Sequence, residues 1–338
     1  MKNLETMKTV YSYYFPQVAE IVRRQETVDK TPLFRTQTPI AEAGEILHQL
    51  GFPLDLEVPA TNEGKINLDA LHEPIIDRIV QIYQDTAVGL DRFDHRYPTA
   101  GSSEGIFHYF ASLKARGVDI IYTLEGEYEG FGEYAQSFGI STLQIAHISQ
   151  LARMPKGVFV FSNPSARDGN IIGNDEVYFA LSGGHEIAYD LAYAGSTYPH
   201  QFDLTHPAIS TVFLSMSKPY GLFRFRSGFA FSRTPIPSLY ANKWFKHINS
   251  LLLSLEIADS IGPKKLAEIY KPIQASFVNQ INDETGLGLR TSDALLLAHL
   301  KASDVHHLDH QQRDLIATYV RGNAGYRFCL TPYFEKVR

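Results

Sequence analysis

The middle third of the chain alternates short apolar runs with segments of helical periodicity, and this pattern limits the fold more than any other feature. The runs that predict strands are Asp119–Leu124, Thr142–Ala146, Gly157–Ser162, Glu186–Tyr189, Thr211–Ser215 and Gly228–Phe231. Several are rich in Val, Ile, Phe and Tyr without strict alternation, as expected for strands covered on both faces. We therefore expect an α/β fold with a central, mostly parallel sheet flanked by helices.

The remaining segments are mainly helical and suggest a second, smaller unit. The helices that the periodicity predicts are Leu68–Asp85, Ser102–Arg116, Tyr128–Phe138, Trp244–Ile261 and Lys264–Ile281. Strands follow near Asp293–His299 and Tyr326–Thr331. We expect a large domain over residues 70–238 and a smaller α+β domain made from residues 1–69 and 239–338.

Composition excludes several classes of protein. The 338 residues carry a net charge of -6 without a basic run, which gives no support for nucleic-acid binding. The single cysteine, Cys329, excludes an internal disulfide framework and a cysteine-based zinc site. No apolar stretch reaches membrane-spanning length, and Met1–Glu5 lacks an apolar secretory core, so we expect a cytoplasmic protein without membrane partners.

The histidines between His306 and His310 suggest a metal site at first sight, because His306 and His310 have the i, i+4 spacing of ligands on one helix face. Without a further acidic partner, a solvated helix face is the better interpretation. We therefore predict no metal site.

One lysine follows an apolar strand directly. Ser215 ends the run Thr211–Ser215, Ser217 and Lys218 follow it, and Arg226 lies eight residues after the lysine. A lysine attacks carbonyls only as the neutral amine, so such a site needs surroundings that lower its pKa. The pattern suits an aldehyde cofactor held as a Schiff base with its phosphate bound nearby, whereas a solvated lysine in a turn is the alternative.

Two further loops offer groups that suit a ligand. Gly101, Ser102 and Ser103 open a predicted helix, where free N–H groups and hydroxyls favour an anion; taken alone, the segment is better explained as a simple serine N-cap. Tyr128 follows the strand ending at Leu124 and suits stacking on a flat ring, or else covers the start of a helix.

Two more strands end in polar residues. Asn163 follows Gly157–Ser162 and suits donation of its amide to a ring oxygen, although the rest of its loop is composed of turn formers. Asp190 ends an apolar run, and a buried carboxylate there requires a cation such as a protonated pyridine nitrogen. Tyr193 follows three residues later; an aspartate N-cap is the alternative for Asp190.

Together these motifs resemble the class I/II aminotransferases, the aspartate-aminotransferase-like enzymes of fold type I that depend on pyridoxal phosphate. The matching elements are Asn163-Pro164 followed by Gly169, Asp190-Leu191-Ala192-Tyr193, and Ser215-x-Ser217-Lys218 with Arg226. The resemblance covers residues 97–232 and extends more loosely to Gly325–Leu330. The loop departs from the family pattern at Arg167-Asp168, and the chain is short for the family.

The resemblance implies a role for each matching residue. Lys218 would form the Schiff base and carry the catalytic proton, Asp190 would pair with the ring nitrogen, and Tyr128 would stack on the ring. Asn163 and Tyr193 would bind the ring oxygen, with Asn163 also near the substrate, and Arg327 would bind the substrate carboxylate. The phosphate would be bound by Gly101, Ser102, Ser103, Ser215, Ser217 and Arg226.

The function implied is transfer of an amino group between an amino acid and a 2-oxo acid, in a homodimer. Elimination, cyclisation or oxidation of an amino acid with the same cofactor is the alternative, and a non-catalytic protein on the same scaffold is a third. Retention of both Lys218 and Asp190 argues against the third.

Overall fold

The structure is a computed structural model that describes residues 16–35, 37–242 and 246–334. Its α-helices are α1 (Pro16–Thr27), α2 (Ile40–Gln49), α3 (His72–Tyr83), α4 (Ser102–Ala115), α5 (Glu129–Ser137), α6 (Asn174–Ser182), α7 (Pro237–Asn242), α8 (Ile248–Thr285), α9 (His310–Ile316) and α10 (Thr331–Phe334). Its β-strands are β1 (Ala87–Val88), β2 (His95–Thr99), β3 (Ile120–Leu124), β4 (Ser141–Ile145), β5 (Val158–Ser162), β6 (Glu186–Leu191), β7 (Phe202–Asp203), β8 (Ile209–Ser215), β9 (Gly228–Ser232), β10 (Arg290–Thr291), β11 (Leu297–Lys301), β12 (Val320–Arg321) and β13 (Gly325–Cys329).

Seven strands form the central sheet, in the order β2-β9-β8-β6-β5-β3-β4. Five neighbouring strands, β8, β6, β5, β3 and β4, are parallel to one another, and β9 is antiparallel to both β8 and β2. All the strands predicted for the middle third are present, with ends that differ by two residues at most. The sequence pattern missed β2, an edge strand whose Pro98 is tolerated at the edge of a sheet.

Helices cover both faces of this sheet. Along β5, Val158 and Val160 belong to a core with residues of α4, α5 and α7, while Phe159 and Phe161 belong to a larger core with residues of α3, α6 and α8. Successive side chains of a strand point to opposite faces, so a strand buried on both sides is apolar throughout. This explains why these strands lack alternation in the sequence.

A second, antiparallel sheet has the order β10-β11-β13-β12 and comes from the C-terminal third. The strand predicted near Asp293–His299 begins later, at Leu297, because the preceding residues bond to the loop after β5. The Ala294 N–H donates to Gly169 O (2.7 Å), and Asp293 Oδ2 accepts from the Ile171 N–H (2.9 Å). The predicted domain boundaries themselves stay a prediction.

Two of the predicted helical segments differ from the structure. The long helix α8 has a break at Gly262 (φ 63°), where the two predicted helices meet, while Trp244 lies outside the described residues. The helix face predicted for His306–His310 is wrong: α9 begins only at His310, where Asp309 Oδ1 accepts the Gln312 N–H (2.8 Å). His306 and His307 precede the helix and are exposed.

Two classes of feature are missing from the described residues. They contain no group of three or more His, Cys, Asp or Glu side chains arranged to bind a metal. None of the helices they form combines the length and the apolar character needed to cross a membrane.

Candidate active site

A cleft of about 540 Å³ lies where several parallel strands of the central sheet reach their carboxyl ends. It brings together most of the residues that the sequence predicts for the site. Those lining it are Ser102, Ser103, Tyr128, Asp190, Tyr193, Ser215, Ser217, Lys218, Arg226 and Arg327, together with Glu129, Tyr134, Phe223 and Arg321.

One end of the cleft presents groups that can bind an anion. Helix α4 begins there with Ser102 and Ser103, so free backbone N–H groups and the positive end of the helix dipole face the cleft. Gly101 precedes the helix with φ 82°, a conformation that favours glycine, and a Cβ there would lie 3.1 Å from Nη2 of Arg226 and 3.5 Å from Oγ of Ser217. The glycine therefore lets the helix start approach both groups.

Arg226 is the cation of this cradle. Its backbone has φ 48°, which is uncommon for a residue with a side chain and is found where the surroundings impose it. Its guanidinium lies over the Phe223 ring, 5.5 Å from the centroid, and forms no ion pair within the described part of the chain. Ser217 Oγ is buried nearby, and none of the described residues forms a hydrogen bond with it. Both groups remain available to an anion.

Lys218 and Asp190 define the middle of the cleft. Lys218 Nζ lies 4.1 Å from the centroid of the Tyr193 ring, and its charge interacts with the Asp190 carboxylate. The turn that carries the lysine is fixed by Ser215, whose Oγ accepts the Ser217 N–H at 3.2 Å. Strand β8 thus delivers the amine to the same space as the carboxylate at the end of β6.

Burial dominates the electrostatics of Asp190. The residue is only 4% exposed, and its Oδ1 has no hydrogen-bond partner among the residues that the structure describes. Burial raises the pKa of Asp190 to about 6, although the Lys218 charge and hydrogen bonds from Ser102 and the Ala192 N–H favour the ionised form. A cation placed against the unpartnered oxygen would stabilise the carboxylate further.

Tyr128 forms a wall of the cleft. Its hydroxyl lies 3.5 Å from Ser103 Oγ, and its ring is packed edge-on against Phe131 at 5.4 Å between centroids. Burial raises the pKa of the Tyr128 hydroxyl, so the phenol is neutral at physiological pH. The packing leaves an aromatic surface with a fixed orientation beside the cleft.

The structure does not bring Asn163 into the cleft. Its amide nitrogen donates to Ile172 O (2.9 Å) and to the Tyr189 hydroxyl (3.0 Å), and its Oδ1 accepts the Ile172 N–H (2.9 Å). The side chain is fully buried and holds the loop closed. The loop reaches the cleft through Ala166 instead, whose carbonyl accepts a hydrogen bond from Nη1 of Arg327.

The charged pair that departs from the family pattern, Arg167 and Asp168, faces away from the cleft. Both line a neighbouring cavity of about 550 Å³, and Arg167 Nη1 donates to Ala146 O at 3.3 Å. Arg167 Nη2 also lies 3.4 Å from Asp168 Oδ2. This pair therefore belongs to the wall behind the site.

Sequence reasoning missed a buried carboxylate under the loop. Glu127 is 5% exposed and accepts hydrogen bonds from the Ser165 hydroxyl and from the N–H groups of Tyr128, Ser162 and Ala166. Burial raises its pKa despite these bonds. The signal was a glutamate at a strand end inside Gly126–Gly130, a segment singled out only for its tyrosine.

Sequence reasoning also missed a second arginine. Arg321, at the end of β12, lines the cleft together with Arg327, and its Nη1 donates to Oε1 of Glu129 at 2.7 Å. No local pattern distinguishes Arg321 from a surface arginine on a short edge strand, so its position became clear only from the fold.

No protein-family model matches the chain, and no curated protein matches it in sequence. Solved structures do match over nearly the full length. A pyridoxal-phosphate-bound C–S lyase from Staphylococcus hominis superimposes with a TM-score of 0.64 at 11% identity, covering 98% of this chain and 88% of the lyase. An aminotransferase from Staphylococcus aureus gives 0.65 at 15% identity, with 98% and 90% covered.

An aminotransferase from Mycobacterium tuberculosis gives a TM-score of 0.58 at 18% identity, covering 95% of this chain and 92% of that one. At such identities the likeness establishes the fold. The chain therefore has the fold of the fold type I aminotransferases and lyases, which confirms the α/β class and the structural resemblance predicted from the sequence.

Proposed function

We propose that the chain is a pyridoxal-phosphate-dependent aminotransferase that moves an amino group between an amino acid and a 2-oxo acid. The observation that carries this proposal is the meeting of Lys218, the buried Asp190 carboxylate and the anion cradle around Arg226 in one cleft. The solved structures of this fold include a C–S lyase with pyridoxal phosphate bound, which supports the same cofactor here.

The cleft residues fit this cofactor at both of its polar ends. The unpartnered Oδ1 of Asp190 calls for a cationic N–H, which a protonated ring nitrogen supplies. The start of α4 suits a phosphate group, as do Ser217 Oγ and Arg226, which have no hydrogen-bond or ion-pair partner, respectively, in the described part of the chain. Gly101 keeps that cradle open, because a side chain there would press on Arg226.

When bound, pyridoxal phosphate supplies an electron-withdrawing ring that stabilises negative charge at the Cα of an amino acid. Ionised Asp190 keeps the ring nitrogen protonated and so preserves that property. Lys218 Nζ would hold the aldehyde carbon in the resting enzyme and, as a neutral amine, would then move the proton at the substrate Cα.

The remaining residues orient the reactants. Arg327 would bind the α-carboxylate, a task for which a planar guanidinium with paired donors is well suited. Tyr128 would cover one face of the ring and limit access of water, while Tyr193 would donate to the ring oxygen. The homodimer and the cytoplasmic location stay predictions.

Elimination from an amino acid is the second candidate, because the same proton removal by Lys218 begins it. The C–S lyase among the solved structures of this fold is the observation that favours it. The two reactions differ in what leaves the substrate: transamination retains the substrate's carbon skeleton and transfers its nitrogen, whereas elimination releases a side-chain group.

An absorbance screen of the purified protein against single amino acids tests the proposal. Transamination predicts that one amino acid abolishes the visible absorbance of the aldehyde form and that a 2-oxo acid restores it. Steady release of a side-chain product with unchanged absorbance would favour elimination. A colourless protein that takes up no pyridoxal phosphate would contradict both enzymatic functions.

Chemical labelling and lysine variants identify the amine that binds the cofactor. Borohydride reduction of the loaded protein followed by peptide mass spectrometry should place the label on Lys218, and Lys218→Ala should abolish turnover while the protein stays folded. Lys265→Ala, at an exposed position on α8, is the matched control and should leave labelling and turnover unchanged. Label on another lysine would contradict the assignment.

A further inference from the structure

Three guanidinium groups line the cleft, whereas the function proposed above uses two of them, Arg226 for the phosphate and Arg327 for the α-carboxylate. Arg327 lies at the centre of β13, and Arg321 lies six residues earlier at the end of β12. Both line the cleft with Lys218 and Asp190. The Arg321 side chain is 19% exposed, so its charge faces the interior of the cleft more than solvent.

The partner of Arg321 is weakly held. Its Nη1 donates to Oε1 of Glu129, but the Glu129 side chain is 75% exposed. An ion pair with a largely solvated carboxylate adds little stability and exchanges readily with another anion. Burial and the nearby charge of Arg327 lower the pKa of Arg321, so the two cations are close enough to repel each other.

The backbone holds Arg321 at this position. A Cβ on Gly126 would lie 2.6 Å from Arg321 O, and a Cβ on Gly322 would lie 2.6 Å from Cγ of Glu125. Asn323 also donates to Glu125 Oε1 through its side-chain nitrogen at 2.7 Å. Two glycines thus let β12 pack closely against the loop after β3, which fixes the backbone position from which the Arg321 side chain extends.

We propose that Arg321 forms a second anion subsite and that the substrate is an amino acid or 2-oxo acid with a second carboxylate. In this proposal, which rests on the proposed function, Arg327 binds the α-carboxylate and Arg321 binds the distal one. The distal carboxylate displaces Glu129, which turns into solvent. Arg321 is then a specificity-determining residue, and Glu129 is its resting counter-ion.

The test compares succinate with butyrate, two unreactive acids of equal chain length that differ in one carboxylate. Thermal-shift titration of the cofactor-loaded protein measures binding without turnover. We expect succinate to bind about tenfold or more tightly than butyrate. Arg321→Met should weaken the binding of succinate by about tenfold to a hundredfold and the binding of butyrate by little, as expected for loss of one charge-assisted contact.

Glu129→Gln provides an opposite expectation at an exposed position, where folding is not at risk. This variant should tighten the binding of succinate severalfold, because the competing carboxylate is gone, and should not affect the binding of butyrate. Arg313→Met, at an exposed position on α9, is the matched control and should change neither acid.

Equal binding of the two acids by the unmodified protein, or equal weakening of both by Arg321→Met, would overturn the second subsite. Unchanged succinate binding in Glu129→Gln would overturn it as well. These results concern the subsite alone, because failure of the proposed function would show earlier, as absence of pyridoxal phosphate binding.

Discussion

Replacing Asp190 by asparagine should stabilise the cofactor-free protein, because the carboxylate is buried without a sufficient partner. The pKa of Asp190 is about 6, against 3.8 for an aspartate in the unfolded chain. A shift of about two pH units corresponds to about 3 kcal/mol between the two protonation states. Asparagine has the same shape and can keep the hydrogen bond from the Ala192 N–H, but it carries no charge.

The direction of the pH dependence follows from linkage. Because the pKa of this carboxyl is higher in the folded protein, its ionisation costs more free energy there than in the unfolded chain. The folded state therefore has its full stability below pH 3.8 and loses part of it as the pH rises through about 6. The variant should therefore gain about 3 kcal/mol at pH 7.5 and about half of that at pH 5. For a chain of 338 residues this is about 4 °C in melting temperature at pH 7.5.

Differential scanning fluorimetry of protein stripped of cofactor measures both values. Asp283→Asn, at an exposed position on α8, is the matched control and should shift the melting temperature by less than about 1 °C. Adding pyridoxal phosphate should reverse the order, because only the ionised carboxylate attracts a protonated ring nitrogen. An Asp190→Asn protein that is no more stable at pH 7.5, or equally stabilised at both pH values, would refute the argument from burial.

Two further substitutions test the framework of the site. Glu127→Ala should lower the melting temperature in calorimetry by about 4–6 °C, because it leaves one hydroxyl and several backbone N–H groups without an acceptor. Glu127→Gln keeps an acceptor and should lower the melting temperature by less than half of that. Equal losses in the two variants would contradict the hydrogen-bond argument. Gly228→Ala would place a Cβ 2.6 Å from Leu214 O and 2.8 Å from the Gly101 Cα. We therefore expect a lower melting temperature and less bound cofactor, as measured by absorbance. Gly132→Ala, which meets nothing within 4 Å on α5, should be tolerated, and similar losses in both glycine variants would show that the close backbone approach at Gly228 is unimportant.

Much of the site could be predicted from the sequence because its residues sit at the ends of strands. Asp190 ends an apolar run, Lys218 follows one, and Ser102 starts a helix after a glycine. Parallel strands present their carboxyl ends at one edge of a sheet, so residues at those ends meet whatever the details of the loops. The cleft brings these three residues together, as that argument requires.

Loops were predicted less well, because the direction of a loop side chain depends on what the loop packs against. Asn163 immediately follows β5, yet its amide bonds to Ile172 and Tyr189 within the core. The loop turns a carbonyl, that of Ala166, towards Arg327 instead. A backbone carbonyl carries no mark in the sequence, so this contact could not have been found there.

Local patterns were sufficient to predict the α/β class, the order of the strands along the chain and the residues at their ends, because hydrophobic period and turn residues act over a few neighbours. The burial of Glu127 under the loop and the position of Arg321 beside Arg327 in the cleft follow from the folded chain alone. Both depend on contacts between segments almost 200 residues apart or on burial from several directions, as in the bond from Arg321 to Glu129. Such contacts arise from the packing of whole elements, which local patterns do not encode.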